Sequence, residues 1–353
     1  MDLDDLEEMG RVDHDDMYSA THELPEQLLA AWQLGQSLPL PPAQQPVEAV
    51  LISGMGGSAI GADFLATYAA PRCRVPVVVR RGYGIPAWAR NPRVCVIASS
   101  HSGNTEETLS AYEEAREAGA ALLALCTGGE LAERARHDGV PCWLFEHQGQ
   151  PRAAVGYSFG LLLALMVRLG LLPDAGDELR QAVGLMQAER ATLGLQVPVD
   201  RNPAKRMAGQ LVGRWVTVLG SDYLAPVARR WKTQINELAK AWSQWEELPE
   251  ANHNTLAGIQ VPEELLVRMM ALFLRAPSDH PRNARRSELT RQAMMQAGIN
   301  TDTLVARGET PLAHMGVMIQ LGDHIAYYLA QAYGIDPTPV EAIEEFKLAM
   351  REG

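Results

Sequence analysis

Short, mainly apolar runs alternate with stretches of helical periodicity along most of this chain. Val94 to Ala98 is short and β-branched enough for a buried strand, and Val47–Ser53, Val75–Arg80, Ala120–Thr127 and Cys142–Phe145 read the same way. Between them the period changes to that of helices, to about Ala69 and from Thr105 to Ala118. Strands alternating with helices predict a parallel sheet covered on both faces. The rhythm restarts after residue 200: Arg214–Ser221, Leu265–Leu274 and Thr303–Ala306 are expected strands, and Leu224–Trp242, Leu312–Tyr333 and Val340–Met350 expected helices. Leu24–Gln36 reads as a helix, and residues 155–196 as an apolar helical stretch.

This pattern divides the chain into an arm, helix and Pro-rich linker (1–46), a first α/β unit (47–153), a helical connection (154–200) and a second α/β unit (201–353). A length of 353 residues suits two such units. The Pro-rich piece runs from Pro39 to Pro46. Residues 1–23 hold nine acids against Arg11, so a solvated, partly helical arm is expected there. The longest apolar stretch, Val155–Leu172, contains Ser158, Arg168 and three glycines, which favours a buried helix over a membrane span.

A net charge of −12 with no long basic stripe argues against a nucleic-acid partner. Arg282, Arg285 and Arg286 read as a solvated loop face. The acidic start is unlike a secretory signal, and the four cysteines stand singly, without Cys-x-x-Cys or His-x-x-x-His spacing. A cytoplasmic protein without metal or cofactor, and without a membrane segment, is the expectation.

The residues between Ala98 and Glu106 change that bland picture. Ser99, Ser100, Ser102, Asn104 and Thr105 crowd hydroxyls and an amide into seven residues, Gly103 supplies turning freedom, and Glu106 and Glu107 open a helix. A strand, hydroxyl-rich loop and helix N-terminus together suit a phosphate dianion. The plainer alternative makes Asn104 or Thr105 an ordinary helix cap. Gly54-Met-Gly-Gly-Ser58 likewise follows a strand and opens a helix, so Gly56, Gly57 and Ser58 are further candidates for phosphate contact. Gly54-x-Gly56-x-x-Ala59 also fits a relaxed dinucleotide fingerprint. The second strand, however, ends in Arg80-Arg81 rather than in an acid for a ribose, which only an NADP-dependent oxidoreductase would tolerate.

Taken together, Gly54–Ser58 and Ser100-His-Ser-Gly-Asn-Thr-Glu-Glu-Thr108 resemble the sugar isomerase (SIS) domain. Asn236-Glu-Leu-Ala-Lys240, Asn252-His-Asn254 and Asp336-Pro-Thr-Pro-Val-x-x-Ile-x-x-x-Lys347 extend the likeness to the bifunctional phosphoglucose/phosphomannose isomerase family. The resemblance implies two doubly wound SIS subdomains. It also implies an isomerase joining glucose 6-phosphate and mannose 6-phosphate to fructose 6-phosphate, or else a SIS-type sensor that binds a hexose phosphate without turnover. Ser100, Ser102 and Thr105, with Gly56, Gly57 and Ser58, would hold the phosphate. Glu237 would be the base, His253 and Lys347 would open the ring, and Arg152 would steady the enediolate. His253 would come from a neighbouring subunit of a homodimer. Thr338 is a possible source of room for mannose chemistry. Two positions depart from the family: His101 stands where tyrosine is usual, and Leu238 where asparagine is. The first bears on the charge and pH response of the phosphate pocket.

Plainer readings accompany each residue. Leu224, Val227, Trp231, Ile235, Leu238 and Trp242 form an apolar stripe, and Glu237 projects off it as a surface acid three residues from Lys240 would. Lys347 could pair with Glu344, Arg152 could cap a helix, and His253 could be fixed in a polar turn.

Overall fold

The computed structural model describes residues 2–41 and 45–351, the last without its side chain. The middle of the Pro-rich piece, residues 42–44, lies outside the described residues. The chain forms two compact units: residues 23–187 with 307–317, and residues up to 22 with 188–306 and those from 318 on. Both are α/β, each built on a parallel sheet. Among the described residues no helix is long and apolar enough to cross a membrane.

The acidic start is not a solvated arm. It folds into α1 (Leu6–Val12) and α2 (Met17–His22), and Leu3, Met9 and Met17 are buried. Its acids find partners within the same unit. Asp4 accepts from the Nζ of buried Lys205 at 3.1 Å, Asp13 accepts from the amides of Met17 and Tyr18, and the arm's histidine, His14, pairs with Asp336 at 2.7 Å. Lys205 and Asp336 lie far along the chain, where local charge patterning cannot see them.

In the first unit, α3 (Leu24–Gly35) precedes a five-stranded sheet. Its strands are β1 (Ala49–Ser53), β2 (Val77–Arg80), β3 (Val94–Ser99), β4 (Ala121–Cys126) and β5 (Cys142–Leu144), in the order β2-β1-β3-β4-β5, all parallel. Strands β1, β3 and β4 are buried at every position, the reason they appear as unbroken apolar runs. Helices α4 (Gly56–Ala69), α5 (Glu106–Glu117) and α6 (Gly129–Asp138) connect the strands. Then comes α7 (Val155–Arg168), the buried helix expected from the long apolar stretch. Its glycines let α3 approach: a Cβ on Gly160 would sit 2.7 Å from the Cβ of Ala31. Helix α8 (Gly176–Arg190) follows.

The second unit holds α9 (Pro203–Leu211), β6 (Trp215–Ser221), α10 (Ala225–Leu238), β7 (Ser243–Leu248), α11 (Glu263–Leu266), β8 (Met269–Arg275), α12 (Pro281–Gln296) and β9 (Asn300–Val305). Its sheet runs β7-β6-β8-β9, again parallel. Helices α13 (Pro311–Tyr333) and α14 (Glu341–Arg351) close the chain. Within this unit Arg230 of α10 makes a two-pronged ion pair with Asp323 of α13, at 3.0 and 2.8 Å, with both residues buried. Trp231 Nε1 donates to Met318 O beside it.

One strand was not expected, and three expectations fail here. Strand β7, Ser-Gln-Trp-Glu-Glu-Leu, has no apolar run because it is a half-exposed edge. The segment from Leu265 begins as α11, and the strand starts only at Met269. Arg282, Arg285 and Arg286 lie in α12, not in a loop. Trp242 leaves the apolar stripe: α10 stops at Leu238, Lys240 takes a left-handed φ of 52°, and Trp242 is 69% exposed.

Candidate active site

In a sheet of order 2-1-3-4-5 the direction in which strands are added reverses between β1 and β3, and ligands bind beyond the carboxyl ends of those two strands. Ser53 of β1 lies beside Ala98 of β3 at that end. The two candidate loops, Gly54–Ser58 and Ser100–Thr105, are therefore the two that flank the switch point. They also touch: the His101 amide donates to Ser58 Oγ at 3.1 Å.

The plain capping alternative does not describe Thr105. It occupies the N-cap position of α5, but its hydroxyl meets Ser100 Oγ at 2.8 Å and makes no capping bond. Helix α4 has no side-chain cap either, a state it shares with α3, α7, α10 and α11, whereas Asp5, Asn202 and His280 cap α1, α9 and α12. Two helix N-termini at the switch point thus keep their first amides clear of side-chain acceptors, as an anion site requires. Asn104 caps a different helix: its Oδ1 accepts from Glu130 N of α6 at 3.0 Å. Gly103 O accepts from Leu131 N at 2.9 Å, so the loop is fastened to α6. Gly103 has φ 71°, and a Cβ there would lie 1.9 Å from Gly128 O.

Ser100 is buried and accepts from Gly103 N at 3.1 Å, Ser58 is buried, and Ser102 is exposed at the rim. Arg152 is buried in the short turn Pro151–Ala154, which is pressed against the glycine loop. A Cβ on Gly57 would sit 2.4 Å from Pro151 O. Gly56, Gly57, Ser58, Ser100, Ser102, Thr105 and Arg152 therefore all belong to the first unit. The arginine pair ending β2 is engaged locally: Arg81 grips Asp63 of α4 with two bonds, at 3.0 and 2.6 Å, and Arg80 donates to Tyr83 O.

One residue escaped notice in the sequence. His147, in the loop after β5, meets His101 ring to ring, His101 Nε2 to His147 Nδ1 at 2.9 Å. Phe145 and Tyr157 pack around the pair. Burial first, then His147, pulls the His101 pKa down to about 4, and burial also lowers that of His147. Both rings are neutral at physiological pH. A lone histidine outside any motif gives no sequence signal.

The other three candidates lie in the second unit. Glu237 sits half-buried in the last turn of α10. Lys240 closes that helix end: its Nζ donates to Glu237 O at 2.8 Å, Leu238 O at 3.3 Å and Pro337 O at 3.1 Å. Pro337 and buried Thr338 belong to the turn that leads into α14, where Lys347 is exposed. His253 is exposed in a short turn after β7, and both neighbours are pinned. Asn252 donates to Thr290 at 2.6 Å and Asn254 to Glu250 at 2.8 Å. The second sheet's own switch point, between β6 and β8, is unlike the first. Asp222 there accepts from His280 N and Asn283, and its charge, after burial, helps raise the pKa of Glu247. That end gathers acidic groups.

Comparison with known proteins bears on what this arrangement belongs to. Residues 200–350 match the bacterial phospho-glucose isomerase C-terminal SIS domain. The bifunctional phosphoglucose/phosphomannose isomerase of Caldicellulosiruptor bescii is 37% identical over 337 residues, covering 95% of this chain and 99% of that protein. This chain belongs to the bifunctional phosphoglucose/phosphomannose isomerase family. The Aquifex aeolicus member is 32% identical, over 87% of this chain and 92% of its own length. The fold recurs in the C-terminal domain of glucosamine-fructose-6-phosphate aminotransferase from Francisella tularensis, with TM-score 0.70 at 12% identity, covering 92% of this chain and 98% of that one. As a member of this isomerase family the protein is an enzyme with a SIS-type α/β architecture.

Proposed function

We propose that the enzyme interconverts glucose 6-phosphate, and mannose 6-phosphate, with fructose 6-phosphate through a cis-enediol intermediate. The observation that supports this most is the uncapped pair of helix N-termini around Ser58, Ser100 and Thr105, built at the first sheet's switch point in a member of this isomerase family. Gly56, Gly57, Ser58, Ser100, Ser102 and Thr105 hold the phosphoryl group through amides and hydroxyls. Lys347 and His253 move the protons that open the sugar ring. Glu237 removes the C2 proton and returns it to C1, and Arg152 stabilises the charge that develops on the enediolate oxygen. Mannose differs from glucose at C2 only, so rotation about C2–C3 in the intermediate presents the other face to Glu237, with room beside Thr338. The working form is a homodimer in which His253 serves the neighbouring chain's site.

The test is an initial-rate assay across hexose and pentose phosphates, with chelator and without added nicotinamide, on the wild type and Glu237→Gln. Turnover of glucose and mannose 6-phosphates by the wild type, lost in a variant that still binds fructose 6-phosphate, is the expected result. A variant that retains the wild-type rate removes Glu237 as the base. Binding without turnover in the wild type leaves a sensor.

A further inference from the structure

The contact between His101 and His147 does more than fill space. Two neutral imidazoles joined nitrogen to nitrogen must divide their roles, one donating and one accepting. His101 belongs to the loop between Ser100 and Ser102, and its backbone is fixed at both ends. Its amide donates to Ser58, and its carbonyl accepts from Thr127 N at 2.9 Å and Thr127 Oγ1 at 2.7 Å. Only its ring nitrogens are left to respond to a ligand. If His147 donates from Nδ1, His101 carries its proton on Nδ1, the nitrogen nearest the loop backbone. If His147 accepts, His101 shows the loop a lone pair there, which repels an anion.

We propose that His147 is a positioning residue for the phosphate loop: it donates Nδ1–H to His101 Nε2 and so fixes His101 as the Nδ1–H tautomer, adding a donor for a bound phosphoryl group. This rests on reading the Ser58–Ser100–Thr105 loop as a phosphate cradle. Tyr157, from α7, is a further titratable side chain packed against the pair.

Two measurements test it, both with inorganic phosphate as the probe. Nitrogen NMR of the wild type should show His101 protonated on Nδ1 and bare on Nε2. In His147→Phe, His101 should drift toward the Nε2–H form. The Kd for inorganic phosphate should then rise about three- to tenfold, the usual worth of one hydrogen bond. KM for the sugar phosphate should rise in step while kcat holds. His147→Asn, whose amide can donate from nearly the same place, should restore both. A wild-type His101 in the Nε2–H form, or His147→Phe binding phosphate as the wild type does, overturns the proposal. The tautomer and the Kd for inorganic phosphate do not depend on which sugar is turned over, or on turnover at all, so the isomerase reading can fail while these two readouts stand. Wild-type protein that binds no phosphate sinks the cradle and this inference together.

Discussion

Glu237 and His253 stand at opposite ends of strand β7. Helix α10 runs antiparallel to β7, with Ser243 Oγ donating to Lys232 O at 3.0 Å, so Glu237 in its last turn lies beside the strand's start. His253 lies in the turn after the strand's end at Leu248. Five residue steps at about 3.3 Å each put roughly 16 Å of strand between the two ends. In the proposed homodimer one sugar meets these two residues from different chains, so that neither chain has to bring both ends of its own β7 to one ligand.

That geometry makes a complementation experiment decisive. Glu237→Gln and His253→Ala should each be inactive alone. When the two are unfolded, mixed in equal amounts and refolded, half the dimers are hybrids, and each hybrid has one site with both wild-type residues. About a quarter of wild-type activity should return. A mixture that stays inactive would place Glu237 and His253 of the same chain in one site.

Little of this was beyond reach of the sequence where burial is complete. Val94–Ala98 and Ala121–Cys126 lie in central strands covered on both faces, so their residues are apolar without interruption. The hydroxyl-rich loop was legible as a strand-to-helix turn, but its composition alone left an ordinary helix cap equally open, and Asn104 does cap α6. Strand β7 was hidden because an edge strand buries only part of its surface. Helix α12 was hidden because Ser287, Thr290 and Met294 are all it buries. The end of α10 was misplaced because a lysine, which seldom turns left-handed, does so at Lys240. The acidic arm was misread because Lys205 and Asp336 are its partners, some 200 and 320 residues away in sequence.

Gly103→Ala tests how tightly the proposed phosphate loop is built. The new methyl would fall 1.9 Å from Gly128 O, at a φ of 71° that an alanine disfavours. The loop must move away from α6, and the bonds from Leu131 N and Glu130 N would break with it. A loss of about 2–3 kcal/mol in stability is expected by denaturant titration of the variant. KM for the sugar phosphate should rise more than tenfold. A variant with unchanged KM would separate this turn from substrate binding.

Asp323→Ala should be among the most damaging changes away from the site. Arg230 and Asp323 are 1% and 2% exposed, so removing the carboxylate takes the counter-charge from a buried guanidinium. The expected cost is about 3–5 kcal/mol. Replacing both residues with methionines should cost less than the single change, because no unpaired charge remains. If the double variant were the less stable, the pair would be contributing net stability beyond its own desolvation.

The pairing of His22 with His324 sets the acid limit of the second unit. His324 Nδ1 donates to Gln320 O at 2.8 Å, which leaves Nε2 to accept from His22 Nδ1 at 3.1 Å. The buried ring must stay neutral, and burial pulls its pKa down to about 4 from 6.5. Between those values the unfolded chain binds more protons than the folded one, so stability rises with pH across the window. It is complete above pH 6.5 and falls by up to about 1.4 kcal/mol for each pH unit below it, until the folded ring itself protonates near 4. The loss should total about 3 kcal/mol. His324→Gln cannot titrate, so its stability should vary less between pH 6.5 and 4, even if it starts lower. Urea midpoints for wild type and variant that fall in parallel over that range would assign the acid sensitivity elsewhere.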